Sequence, residues 1–127
     1  MRLPRHPAPW FIAFATWFGV LWWLSSGVPE FPQALDFQLS DKLLHFGYFF
    51  GGAGLLSATL FRWKPDLHAS TRILIVIIVV TLTGALDEYH QTFSPGRSGN
   101  DAADLTADFL GTIVGALFFQ RVRRVVA

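Results

Sequence analysis

GALDEYHQTFSPGRSGNDAADLTADFLGTIVG, residues 84–115, gathers Asp87, Glu88, His90, Gln91, Arg97, Asp101, Asp104 and Asp108 between two apolar runs. Upstream lie eight consecutive aliphatic residues, Ile73 to Val80, and downstream the apolar segment continues to Phe119. Two runs that approach the length of a bilayer, joined by SPGRSGN (94–100), read as a pair of spanning helices and a tight polar turn. The fold therefore depends on how many more such runs the chain holds.

There are two more. Trp10 to Leu24 (WFIAFATWFGVLWWL) extends to Val28, and Leu43 to Phe61 is interrupted only by small and weakly polar residues. With the hairpin this gives four spans at about 10–28, 43–61, 73–93 and 102–119, each within the roughly 17–25 residues that a helix needs to cross a bilayer. Arg2 and Arg5 ahead of the first run resemble the start of a signal peptide. No small-x-small cleavage site follows Leu24, however, and Trp22-Trp23 suits an interfacial anchor, so the run is read as a span. Trp10 and Trp63 mark the opposite surface.

Composition agrees. Of 127 residues, 52% are hydrophobic and 15% charged, against about 25% charged in soluble domains. The mean hydropathy is +0.41. Cysteine is absent, which excludes disulfides and thiolate metal sites. The net charge of +1 says nothing about nucleic acid and no basic stripe points to it, so no nucleic-acid partner is expected; the partner this composition selects is the lipid bilayer. The expected architecture is an all-α membrane protein of one domain, a four-helix transmembrane bundle.

Charge orients it. Arg2 and Arg5, the connection with Arg62, Lys64 and Arg72, and the end with Arg121, Arg123 and Arg124 hold eight of the ten Lys and Arg. Only Lys42 and Arg97 fall on the other side. The positive-inside rule then predicts both termini cytoplasmic, in a multi-pass protein of the cytoplasmic (inner) membrane. Eight of the nine acids, all but Asp66, collect on the outer side.

Helical spacing turns those acids into stripes. Asp41, His45, Tyr48 and Gly52 follow steps of four, three and four; Thr81, Gly84, Glu88 and Gln91 three, four and three; Asp101, Asp104, Asp108, Gly111 and Gly115 three, four, three and four. Each stripe is ionisable at its outer end and small towards the middle. Gly111-x-x-x-Gly115 and Gly47-x-x-x-Gly51 suit close helix approach. Asp108 lies seven residues past Asp101, about 10 Å down the axis. A carboxylate facing lipid near mid-bilayer costs roughly 2.5–3.5 kcal/mol, so Glu88 and Asp108 are expected to face inward.

His45, Glu88, Asp104 and Asp108 are the candidate catalytic residues, with a divalent metal ion at His45, Glu88 and Asp108 as the candidate cofactor, since carboxylate and imidazole suit such an ion. Arg97, Gln91, Asp41 and Lys42 are the candidate substrate-binding groups, Arg97 through a bidentate hold on phosphate or carboxylate. Each has a plainer reading. Asp41 and Asp101 suit helix caps, Arg97 a solvated turn, and Asp87 with His90, off the main stripe, an interfacial pair.

With these residues in order, the chain resembles the VanZ-like family of small bacterial membrane proteins. The resemblance rests on Asp41-Lys42-x-x-His45-Phe46 opening a helix, Glu88-x-x-Gln91 ending one, Pro95-Gly96-Arg97 in the turn, and Asp104-x-x-x-Asp108-x-x-Gly111-x-x-x-Gly115. Many members carry Asn at the position of Asp108. The resemblance implies a link to resistance to the glycopeptide teicoplanin and gives no mechanism. Two functions are expected from it and the stripes together. One is an enzyme acting at the outer leaflet on a lipid-linked cell-envelope substrate. The other is non-catalytic capture of a glycolipid, glycopeptide or partner helix, with the aromatic first helix (Trp17, Trp22, Trp23) as a further surface.

Overall fold

A computed structural model describes residues 3–26, 38–94 and 102–127. They form four helices: α1 (Pro7–Ser25), α2 (Gln38–Trp63), α3 (Ala69–Gln91) and α4 (Ala102–Val126). All four are long and apolar enough to cross a membrane. The 23 residues of α3 span about 35 Å, against a hydrocarbon core of about 30 Å.

Where the helices exceed the sequence-based spans, their polar ends are helical too; α3 stops at Gln91, two residues short of the expected Phe93, and α1 at Ser25, with Val28 outside the described residues. α1 begins at Pro7 rather than Trp10. Proline at the first helical position forgoes an N–H that would be unpaired there, and His6 Nδ1 accepts from the Ala8 N–H at 3.1 Å. α2 begins at Gln38 rather than Leu43 and so takes in Asp41 and Lys42. α4 continues past Phe119 to Val126, carrying Arg121, Arg123 and Arg124 on its last turns, where cations complement the helix dipole. The connection at 64–68 is held by Arg72, which is 1% exposed. Its Nη2 donates to the Leu67 carbonyl at 3.0 Å and its Nη1 to Gln120 Oε1 at 3.4 Å, while the guanidinium lies over the Phe61 ring.

Large apolar side chains cover the outside of the bundle, among them Ile12 (62% exposed), Leu74, Leu82 and Leu117. In water these would form an adhesive surface; in lipid they are the solvated one. Packing inside must then come from shape. α2 and α4 run parallel and make the closest pair, with α1 against α2 and α3 against α4. Gly111 and Gly115 are the reason. A Cβ at Gly111 would lie 2.9 Å from the Phe46 carbonyl carbon, and one at Gly115 3.0 Å from Phe50 Cα and from Ala53 Cβ. Only hydrogen fits there.

Two expectations fail on α2 and α1. Among the described residues Gly47 and Gly51 do not pack against a helix: both are exposed, and none of those residues lies within 4 Å of a Cβ built on either. The face of α2 that meets α4 is set by Phe46, Phe50 and Ala53, one step round the helix. Trp17 is not a surface aromatic. It is 8% exposed, lies flat over Gly52, stacks on Tyr48, and donates its indole N–H to the Tyr48 carbonyl at 2.9 Å. Gly52 makes room for it. Trp23, 73% exposed, is the surface residue of that trio.

Candidate functional site

The register that seats Gly111 against Phe46 also aligns the polar turns above. Lys42 pairs with Asp104, and His45 Nδ1 lies 2.8 Å from Asp108 Oδ1. Both pairs are one turn apart on two parallel helices, so the glycine contact and the polar contacts form one ladder. Lys42 Nζ also lies 3.3 Å from Asp41 Oδ2. The other nitrogen of His45, Nε2, is 3.7 Å from Asp104 Oδ2 and 3.9 Å from Asp41 Oδ1. The imidazole therefore stands among three carboxylates, with its Nδ1 side held by Asp108.

α3 completes the cluster from the opposite direction. At Gly84 a Cβ would lie 3.1 Å from Asp108 Oδ2 and 3.0 Å from Phe49 Cε1, so the missing side chain lets α4's carboxylate approach. One turn further along, Glu88 is 1% exposed and meets His45 and Asp108: one ligand atom from each lies within 4.8 Å of the others. Asp41, His45 and Asp104 form a second set with the same spacing, sharing His45. Three helices thus bring together the predicted His45, Glu88, Asp104 and Asp108, with Asp41 and Lys42 beside them. Arg97 and Asp101 lie outside the described residues.

Access is graded. Side-chain exposure falls from 55% at Asp41 through 28% at Lys42 and 18% at His45 to 3% at Asp108. Asp41 is thus the water-accessible member of the cluster and Asp108 the driest. Electrostatic interactions strengthen in the same direction, because the effective dielectric falls. Chemically, Lys42 can meet an anion, His45 can exchange a proton through Nε2 while Asp108 fixes its ring, and either three-residue set has the donors for a divalent cation. Lys42 already places a positive charge on Asp41 and Asp104, so His45, Glu88 and Asp108 make the better-suited set.

Gln91 sits elsewhere than expected. Its Nε2 donates to Asp87 Oδ2 at 2.9 Å and reaches Ser25 Oγ at 3.4 Å, so it ties α3 to the end of α1. Asp87 is 2% exposed and accepts the Gln91 hydrogen bond inside the bundle. His90 stacks on Trp22, with ring centroids 3.7 Å apart and planes within 9°. The signal for Asp87 was present: it is three residues after Gly84 and four before Gln91, on the same stripe as Glu88. Nothing in the sequence pointed to Ser25, and Trp22 was legible as an interfacial or surface aromatic but not as the partner of His90.

The VanZ/LLP1 family model matches residues 6–123, nearly the entire chain. No curated protein and no solved structure matches it. The chain belongs to the VanZ/LLP1 family, and with four span-length helices it is a multi-pass membrane protein.

Proposed function

We propose that this VanZ/LLP1-family protein lies in the cytoplasmic membrane with both termini cytoplasmic and acts at the outer face on the anionic headgroup of a lipid-linked cell-envelope substrate. The observation that carries the reading is the meeting of His45 with carboxylates from α2, α3 and α4 at one end of the bundle. That end lies opposite the arginines of the 62–72 connection and of α4's last turns, which the positive-inside rule assigns to the cytoplasm. Ionisable groups so deep in an apolar helix bundle are costly to keep, which favours a working role over a structural one.

In this reading His45, Glu88 and Asp108 would hold a divalent cation, which would supply Lewis-acid chemistry towards a phosphoryl oxygen; with the ion held by the carboxylates alone, His45 would instead exchange a proton through Nε2. Asp104 steadies Lys42, while Lys42 and Arg97 receive the headgroup's negative charge. Asp41 borders the water-accessible side of the cluster, while Gln91 holds α3 to α1 beside it. Teicoplanin resistance would follow from altered exposure of the envelope target. The test is Mn²⁺ binding by purified protein, followed by electron paramagnetic resonance, alongside teicoplanin susceptibility of cells carrying the wild type, Glu88→Gln or Asp108→Asn. The reading expects bound Mn²⁺, at least tenfold weaker binding in both variants, and loss of the phenotype. No bound metal together with an unchanged phenotype would end it.

A second reading has its own support. Lys42–Asp104 and His45–Asp108 satisfy one another inside the bundle, as a purely structural network would. Non-catalytic capture of a glycolipid or glycopeptide then needs the shape of this end rather than its charges. It expects the carboxamide variants to keep the phenotype and Gly111→Leu to lose it.

A further inference from the structure

Below the polar cluster, α1 and α3 diverge and leave a groove of about 420 Å³. Phe11, Phe14 and Phe18 form one wall, Val79, Leu82 and Leu86 the other. The floor includes Thr83, whose hydroxyl donates to the Val80 carbonyl at 2.6 Å and so offers the groove no free donor. The walls cover eight residues along each helix, seven steps or about 10 Å of groove inside the spanning segments. An occupant at that depth must be apolar.

The α1–α3 seam continues from the groove towards the polar end of the bundle. Phe18 contacts Trp22, Trp22 stacks on His90, and the next residue, Gln91, bonds Asp87 and Ser25. Apolar walls, an aromatic pair and a polar group thus follow one another along the α1–α3 seam, in the order of an amphiphile's tail, neck and head. We propose that this groove holds one hydrocarbon tail of the lipid whose headgroup the polar cluster receives. The assignment rests on the headgroup reading above for the identity of the lipid, and on the seam alone for the tail.

The experiment uses full-length protein in phosphatidylcholine vesicles doped with phosphatidic acid carrying a photoreactive diazirine midway along one acyl chain. A matched arm carries the same chain on phosphatidylcholine. After irradiation, labelled residues are mapped by peptide mass spectrometry. The proposal expects label on 11–18 and 79–86 at least fivefold above that on the lipid-facing Leu74 and Leu117, and a return to that background in Ala15→Trp, which fills the groove. Val79→Phe, filling it from the other wall, repeats the measurement if Ala15→Trp does not fold. Even labelling of all lipid-facing residues overturns the proposal, as do groove cross-links to a second copy of the chain. Groove labelling that is equal from both lipids and survives His45→Ala sustains the tail site and removes the headgroup reading. Loss of head preference and loss of groove occupancy are therefore separate results.

Discussion

Two glycine pairs with identical spacing, Gly47-x-x-x-Gly51 and Gly111-x-x-x-Gly115, should respond oppositely to one added methyl group. At Gly111 the Cβ of alanine would overlap the Phe46 carbonyl oxygen, with the carbonyl carbon at 2.9 Å and Cα at 3.0 Å. These are backbone atoms of α2, so no rotamer change relieves the overlap. The helices must separate, by about 1 Å to restore ordinary van der Waals spacing. Overpacking of this kind costs about 1–3 kcal/mol. At Gly47 nothing lies within 4 Å of the same methyl group, and replacing glycine in a helix gains up to about 1 kcal/mol. Gly111→Ala should therefore unfold at lower denaturant than Gly47→Ala, by a difference of about 1–3 kcal/mol. The assay is sodium dodecyl sulfate titration of the protein in mild detergent, followed by circular dichroism. The same separation would stretch the 2.8 Å contact of His45 with Asp108 beyond hydrogen-bond range, so Gly111→Ala should also weaken Mn²⁺ binding while Gly47→Ala leaves it unchanged. Equal stability of the two variants would refute the claim that α2 and α4 meet at Gly111.

Trp17→Phe should cost about 1 kcal/mol in the same titration through loss of the indole donor to the Tyr48 carbonyl, whereas Trp23→Phe, at an exposed position, should cost less than half of that. Lys42→Gln removes the cation shared by Asp41 and Asp104; if the cluster's charges are coupled, Mn²⁺ binding should tighten severalfold, and unchanged affinity would show that Lys42 lies outside the ion's field. Arg72→Met should destabilise by about 1–3 kcal/mol, because the Leu67 carbonyl and Gln120 lose their buried donor; an unchanged titration midpoint would mean that the connection is held some other way. Alkaline phosphatase and green fluorescent protein fused in turn to the carboxyl end test the cytoplasmic placement of that terminus: fluorescence without phosphatase activity is expected, and the reverse pattern would invert the topology.

How much of this was legible depends on the scale of the signal. The four helices follow from runs of apolar residues and from the requirement that a backbone in lipid satisfy its own hydrogen bonds, both properties of a segment taken by itself. The stripe of α4 was equally local: Asp104, Asp108, Gly111 and Gly115 recur at three and four, and all four are buried. Helical period alone was enough to associate Glu88 and Asp108 with the interior. It was not enough to exclude Asp87, which shares the stripe within one step and was assigned to the rim.

What the chain could not decide in isolation was partnership. Gly47 and Gly51 have the same spacing as Gly111 and Gly115, yet only the second pair meets a backbone, since the choice depends on how far α2 is rotated about its own axis. That rotation is fixed by Trp17 lying over Gly52 and by Phe46 and Phe50 seated on the glycines of α4. The same rotation places His45 against Asp108, 63 residues away, and leaves Lys42 on Asp104. Composition and period determined that this protein would be four spanning helices with polar ends. The fit of one tryptophan and two glycines, a matter of shape between helices distant in sequence, decided which of those ends would meet.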